Sequence, residues 1–297
     1  MKVIVTGANG FVGSNLIKKL VANNIEVLAL DLSFACSKLP DSSLIETMEM
    51  SIDNIENLVD SIKNTKYDLF YHFAWIGVNG PEKGKIENQL KNIEMTIKCA
   101  KVAKELDIKK FLCAGTVAER NVESLNSLSS TGAGMFYGSA KYATHLMLET
   151  YCKNIGLDFI WMQFSNIYGP SNKTGNLISY TLNQLKNNEE ATFGPAKQPY
   201  DFIFVNDLIN AIYLLGFKKT NHNYYFIGSG KPMILREYLI KVGKACNKEH
   251  LIKIGVRDDD GIKYSFDMFD NNDLINDIGN YISMDFDEAI KYTVEKY

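Results

Sequence analysis

Five β-favouring residues, Lys2–Thr6, run straight into three glycines spaced three apart, Gly7, Gly10 and Gly13. A helical pattern over Ser14–Asn23 follows, with Leu16, Ile17, Leu20 and Val21 on one face. A strand that turns on glycines into a helix aims the helix's unpaired first amides past the strand end. Further apolar runs lie at Glu26–Leu30, Tyr67–Phe73, Lys110–Ala114 and Asp158–Phe164, with helical stretches at Ile55–Lys63, Asn88–Leu106 and Met135–Asn154 between them. Strands alternating with helices imply βαβ units, a parallel sheet and right-handed crossovers that place helices on both faces. The expected class is α/β with a doubly wound parallel sheet.

The pattern changes after Phe164. Asn166–Ser171 is turn-rich around Gly169-Pro170, and the remainder reads as mixed. We expect a first domain over 1–164 with a return segment at 201–227, and a smaller mixed domain over 165–297. Within the return segment, Asp201–Leu215 reads as a strand and helix rejoining the main sheet.

The chain's 297 residues are 46% hydrophobic and 23% charged, enough for a large core and not a disordered composition. Thirty-two basic against 35 acidic residues leave a charge of −3, which lacks the basic stripe of a nucleic-acid binder. No apolar run approaches the roughly 18 residues that span a bilayer, so no membrane partner is expected. The N-terminus lacks the pattern of a signal peptide. Cys36, Cys99, Cys113, Cys152 and Cys246 show no paired spacing and read as reduced thiols of a cytoplasmic protein. No Cys/His cluster suggests a metal.

The glycine turn, Gly7-Ala8-Asn9-Gly10-Phe11-Val12-Gly13, suits a pyrophosphate lying on backbone amides at a helix N-terminus. Asp31 ends the second strand, where a carboxylate accepts from both ribose hydroxyls of an adenosine and repels a 2′-phosphate. No Lys or Arg follows it until Lys38, so NAD is expected rather than NADP. The alternative is that Asp31 is only a strand-end turn residue. The first domain is then a Rossmann fold.

Tyr137 and Lys141 stand at i and i+4, on one face of a helix. A phenol is a poor base at neutral pH, and a neighbouring ammonium is expected to lower its pKa. Thr116, at the end of Lys110–Thr116, offers a hydroxyl to orient the reacting oxygen; otherwise it only caps the turn. Together these groups suit proton transfer to or from a sugar hydroxyl coupled to hydride transfer at nicotinamide.

With these residues assembled, the chain resembles the extended short-chain dehydrogenase/reductases of the NAD-dependent epimerase/dehydratase family, which act on nucleotide sugars. The resemblance runs through Tyr71-His72-Phe73-Ala74, Asn92-Ile93-Glu94-Met95-Thr96, Gln163-Phe164-Ser165-Asn166-Ile167-Tyr168-Gly169-Pro170, Tyr200-Asp201-Phe202-Ile203-Phe204-Val205-Asn206-Asp207 and Gly228-Ser229-Gly230-Lys231-Pro232. It implies that Gly7, Gly10, Phe11, Val12, Gly13, Asp31, Ser51, Ile52, Phe73, Ala74, Lys141 and Phe164 hold the cofactor. It implies Tyr137, Lys141 and Thr116 as the catalytic set, and Asn166, Thr116, Tyr200 and Arg257 as substrate contacts. The later part of the chain would be mainly substrate-binding. Gln163 and Tyr200 stand where the family commonly has Arg, and Ser51 where it has Asp. Arg257 is then the expected diphosphate anchor, or else a surface charge paired with Asp258–Asp260.

The resemblance offers 4,6-dehydratase, 4-epimerase and 4-ketoreductase reactions. Dehydratases carry an acid and a base directly after the catalytic Thr; here Val117 and Ala118 stand there, and Glu119 is one place further on. Gly115-Thr116-Val117-Ala118-Glu119 and Phe73-Ala74-Trp75-Ile76-Gly77 resemble a reductase-like branch. The expectation is therefore an oxidoreductase of carbohydrate biosynthesis reducing a C4 ketone of a nucleotide sugar. The alternatives are a 4-epimerase with retained NAD, and a dinucleotide-binding protein without catalysis. Family relatives also imply a homodimer through Asn88–Leu106 and Tyr142–Asn154. His72 reads as a core residue, His145 as structural, and Trp75 and Phe34 as possible cleft residues.

Overall fold

The computed structural model describes every residue except 63, 124–132, 173–174, 260 and 262. The expected helix end at Lys63 and the end of the acidic run at Asp260 lie outside the described residues. The chain begins β1 (Lys2–Thr6), α1 (Phe11–Ala22), β2 (Glu26–Asp31), β3 (Ile45–Glu49), α2 (Asn57–Ile62) and β4 (Leu69–His72). It continues with α3 (Ile86–Glu105), β5 (Lys110–Thr116), α4 (Arg120–Glu123), α5 (Ala133–Ile155) and β6 (Phe159–Phe164). Then come β7 (Asn166–Tyr168), α6 (Leu177–Lys186), β8 (Ala191–Phe193), β9 (Pro199–Tyr200), β10 (Phe202–Phe204), α7 (Val205–Phe217) and β11 (Tyr224–Ile227). The last elements are β12 (Met233–Ile234), α8 (Leu235–Ala245), β13 (Ile252–Ile254), α9 (Asn272–Ile278) and α10 (Phe286–Lys296).

Seven parallel strands form one sheet in the order β11-β6-β5-β4-β1-β2-β3. Its strands read as unbroken apolar runs because both faces are covered. Val3 and Val5 of β1 join Leu16 and Ile17 of α1 and Leu208 of α7 in one cluster; Ile4 joins Leu58, Met95, Cys99 and Leu148 of α2, α3 and α5 in another. The same alternation divides Leu112 from Phe111, and Met162 from Trp161. Each fully buried Leu- or Ile-sized side chain contributes about 2 kcal/mol by leaving water.

The strand order reverses between β1 and β4. In an open parallel sheet that reversal leaves a crevice beyond the strands' C-terminal ends, where successive loops part to opposite faces. The glycine turn after β1 and Phe73-Ala74 after β4 border this crevice.

The later part holds three small pairs: β10 parallel with β7, β12 antiparallel with β9, and β13 parallel with β8. The strand expected to rejoin the main sheet within Asp201–Leu215 is β10, and it pairs outside that sheet. The seventh strand is β11 beside β6, while α7 packs on α1. All five cysteines are free, three of them buried. Among the described residues, no helix is long and apolar enough to cross a membrane, and no cluster of metal-ligating side chains occurs.

Candidate active site

The crevice is a cleft of about 1510 Å³. Gly7, Gly10, Phe11, Val12, Gly13, Asp31, Ser51, Ile52, Phe73, Ala74, Thr116, Tyr137, Lys141, Phe164 and Asn166 all line it. Residues spread over 160 positions of sequence therefore meet at one surface because the sheet brings the ends of β1, β2, β4, β5 and β6 together.

At one end, Gly7 turns with φ +66°, and a Cβ there would lie 2.8 Å from the Ala74 amide nitrogen. A Cβ on Gly13 would sit 2.2 Å from the Gly7 carbonyl oxygen, so only glycine lets α1 start this close to β1. The N-cap is Gly10, with no side-chain cap and no acidic residue in the first turn. The first amides of α1 are thus left for an anion. Asp31 Oδ2 accepts from the Asn9 amide and Oδ1 from the Leu32 amide, each at 2.8 Å. The carboxylate pins the turn, as in the strand-end reading of Asp31, and keeps lone pairs that can accept further bonds. Lys38 borders the same cleft. An uncapped helix start, a turn with no room for a Cβ and an acceptor at the end of β2 fit an adenine dinucleotide.

The next strand end is set by a buried relay. Thr6 Oγ1 and His72 Nδ1 are 2.7 Å apart, and His72 Nε2 lies 3.2 Å from Thr96 Oγ1. Burial pushes His72 down to about 3, so it is a neutral core residue, as expected. Asn92 grips the following loop, accepting from the Ile76 amide at 2.7 Å and donating to its carbonyl at 2.8 Å. Gln89 accepts from Trp75 Nε1 at 3.0 Å and donates to the Lys83 carbonyl at 3.1 Å. These two α3 amides fix Trp75 and Lys83 at the cleft wall.

At the other end, Thr116 and Tyr137 both line the cleft, and the Thr116 side chain acts on the Tyr137 hydroxyl, favouring its ionised form. Thr116 Oγ1 also accepts from the Ala118 amide at 3.3 Å, so Thr116 both caps the turn and meets Tyr137. Trp75 stands edge-on to the Tyr137 ring at 6.2 Å, and Lys83 Nζ lies 4.6 Å from that ring's centre. Lys141 Nζ donates to the Ala114 carbonyl at 2.6 Å and lies 3.6 Å from the centre of the Trp75 ring.

This corrects the expected coupling between Tyr137 and Lys141. Burial raises the Tyr137 pKa, the Thr116 side chain opposes it, and the charge of Glu119 raises it further. The net direction is upward, so the phenol is protonated at neutral pH. Burial lowers Lys141 to about 8, opposed by Cys113 and Glu119.

Two expected substrate contacts lie outside the cleft lining. Tyr200 is buried and donates to Asn166 Oδ1 at 3.3 Å, so it stands behind Asn166. Arg257 donates to Thr192 Oγ1 at 2.7 Å and to the Tyr180 hydroxyl at 2.8 Å. Gln163 also faces away, with its amide oxygen accepting from Arg120 Nε and from the Tyr224 hydroxyl, each at 2.7 Å. Phe34 lies outside the lining, whereas Trp75 is part of it. Sequence reasoning missed Lys83, Asn172, Asn176 and Asn206, which border the cleft. Lys83 sits in a Pro-Glu-Lys-Gly turn that carries no pattern pointing inward.

Comparison with known proteins agrees with this geometry. Residues 3–228 match the family described as NAD dependent epimerase/dehydratase. The chain is 24% identical to a dTDP-4-dehydro-6-deoxyglucose reductase of Escherichia coli, over 84% of this chain and 83% of that one. It is 24% identical to a UDP-glucose 4-epimerase of Mycolicibacterium smegmatis, over 80% of each. Among solved structures it resembles a dTDP-glucose 4,6-dehydratase of Streptomyces venezuelae with NAD and TYD bound. That match has a TM-score of 0.82 and 20% identity, and covers 100% of this chain and 97% of the other. Relatives named for three different reactions stand at comparable distance.

Proposed function

The chain belongs to the NAD dependent epimerase/dehydratase family, and from that premise we propose that it reduces the C4 ketone of a nucleotide-activated sugar. The observation that carries this reading is the placement of Tyr137 and Thr116 together on the wall of the cleft that begins at the glycine turn, with a phenol that burial holds in its acid form. A ketone reduction needs a proton donor ready at the outset, whereas oxidation of an alcohol, the first half of epimerisation, needs a base.

In this reading the amides of Phe11, Val12 and Gly13 take the pyrophosphate, Asp31 the adenosine ribose, Ser51 and Ile52 the adenine, and Phe73, Ala74 and Phe164 flank the rest of the cofactor. NAD, bound in its reduced form, supplies the hydride to the C4 carbon. Tyr137 donates its proton to the C4 oxygen, and Thr116 holds that oxygen in place. The phenolate left behind recovers its proton from solvent. Lys141 would hold the nicotinamide ribose. Asn166, backed by Tyr200, and Lys83 contact the sugar nucleotide.

Dehydration is disfavoured by placement. Val117 is buried, and Glu119 is fully enclosed behind the cleft, so neither brings an acid or base to C5 or C6. We also propose a homodimer through α3 and α5, which pack together and leave Leu90, Leu146 and Met147 about half exposed or more.

The test is NADH consumption upon addition of a 4-keto sugar nucleotide. Wild type is expected to turn over, and Tyr137→Phe to lose about a hundredfold or more, with little change in cofactor affinity. Interconversion of C4 epimers by NAD-loaded protein, without net NADH consumption, would overturn the reading in favour of epimerisation.

A further inference from the structure

Behind the cleft, across the end of β5 from Tyr137, lies a buried polar cluster that the reaction above does not use. At its centre is Glu119, with none of its surface exposed. Oε1 accepts from the Thr116 amide at 2.6 Å. Oε2 accepts from Trp161 Nε1 at 3.0 Å and from Gln163 Nε2 at 3.2 Å. Space for this carboxylate depends on Gly115, where a Cβ would lie 2.8 Å from Oε1 and 2.3 Å from Trp161 Nε1. The Thr116 end is a capping box, in which each residue bonds the other's backbone.

The groups facing Glu119 come from every element packed around it. From α5 come Lys141, whose charge acts on Glu119, and His145, whose Nδ1 is 3.9 Å from Oε2 and lacks a hydrogen-bond partner. The His145 ring is stacked between Trp161 and Tyr224, at 5.1 and 5.2 Å, and its Nε2 is 4.0 Å from Glu149. Burial lowers His145 to about 4, so it is neutral. From β5 comes Cys113, a thiol raised by burial. From α4 come Arg120 and Glu123, ion-paired at 3.3 Å. From β11 comes Tyr224, raised by burial; β6 offers only the neutral Trp161 and Gln163.

Glu119 therefore touches the reactive group once, at the Thr116 amide, and is linked to Lys141 through Trp161, whose Nε1 donates to Oε2 at 3.0 Å and whose ring centre lies 5.8 Å from Lys141 Nζ. Its hydrogen bond fixes the turn that carries the Thr116 hydroxyl, and its charge opposes that of the buried Lys141 ammonium. We propose that Glu119 is a positioning residue for the Thr116–Tyr137–Lys141 group, holding the Thr116 amide in place and supplying the anion that keeps the Lys141 ammonium charged in a dry site.

Burial raises Glu119 to about 7, opposed by its hydrogen bonds from Thr116, Gln163 and Trp161 and by the charge of Lys141. Burial thus brings the Glu119 carboxyl up and the Lys141 ammonium down towards one another. The two tryptophans of the chain report on both groups, since Trp161 bonds Glu119 and Trp75 lies under Lys141.

The proposal rests on the reading of Tyr137, Thr116 and Lys141 given above, and its test needs no turnover. Intrinsic tryptophan fluorescence of the full chain, titrated from pH 5 to 10, is expected to show two transitions in wild type. In Glu119→Gln the lower transition disappears and the upper one moves down by about one pH unit, because Lys141 has lost its counter-charge. In Lys141→Met the upper transition disappears and the lower one moves up. That second variant keeps the test open if the first folds poorly. In NADH-linked assays, the alkaline limb of kcat is expected to move down in Glu119→Gln by the same amount as the upper fluorescence transition. Unchanged transitions in Glu119→Gln, or an unmoved lower transition in Lys141→Met, would overturn the proposal. Fluorescence shifts as expected without reduction of any 4-keto sugar nucleotide would uphold the Glu119–Lys141 link and reject the assigned reaction.

Discussion

Replacing Asn92 by Ala tests how α3 holds the cleft wall. Asn92 is 1% exposed and satisfies both main-chain groups of Ile76, accepting at 2.7 Å and donating at 2.8 Å. Alanine removes both partners at once. A buried main-chain group left unpaired costs roughly 1–3 kcal/mol. Ile76 is only half-buried, so water recovers part of this, and the low end applies to each group, giving about 2 kcal/mol in all. For a chain of this size that lowers the melting temperature by about 3 °C. The loop released also carries Trp75, which lies against Tyr137 and Lys141. Turnover is therefore expected to fall by about tenfold. NAD affinity, set mostly by the glycine turn and Asp31, should change by less than about threefold. Thermal melting and an NAD titration, run side by side, separate these effects. Asn92→Asp refines the comparison. At neutral pH its carboxylate still accepts from the Ile76 amide but repels the carbonyl, and in acid its protonated form donates again. A variant Asn92→Ala that melts with wild type would refute the double clamp. So would an Asn92→Asp as stable as wild type at neutral pH.

Lys141→Met should abolish reduction while raising stability at pH 7, since burial disfavours the Lys141 ammonium by more than Cys113, Glu119 and the hydrogen bond to Ala114 favour it. Burial lowers Lys141 from 10.5 to about 8, so the wild-type penalty is full below about 8 and fades as pH rises towards 10.5. The stability advantage in chemical denaturation must shrink over that window; one that grows there defeats the reasoning. The dimer is checked by light scattering. Wild type should show twice the 33.5 kDa chain mass, and Leu90→Glu with Met147→Glu should show one.

Much of the fold was legible because its central strands are buried on both faces. Val3, Ile4 and Val5 must all be apolar when alternate side chains enter different clusters, and the sequence pattern then reads as a run. The edge strand β3 escaped for the converse reason. Ile45–Glu49 has only Ile45 and Met48 half-buried, without the period of two, and mixes in two glutamates, so nothing marks it as a strand. The misplaced return strand has another cause. Phe202–Phe204 and Tyr224–Ile227 are both short aromatic-rich runs, and which of them meets Phe159–Phe164 depends on long-range packing that neither run encodes by itself. The start of α1 was read three residues late, because Gly13 looks like a loop residue until its closeness to the Gly7 carbonyl explains why a glycine stands inside the first turn.

Within the site, spacing shows which side chains share a face, and hydration decides what charge they carry there. The i,i+4 relation of Tyr137 and Lys141 was visible in the chain, but where Lys141 Nζ ends was not. The end of β5 offers it the Ala114 carbonyl, and Trp75 covers it. The packing that holds the two residues in place also removes much of the water that would stabilise either charged form, most fully around the buried Lys141. Tyr137 is therefore kept as an acid, and Lys141 is left needing an anion. Glu119 is the ionisable side chain that answers that need from behind the sheet, in a position where the sequence suggested only a misplaced dehydratase acid. The charge each reactive group carries thus depends on its surroundings as well as on its identity.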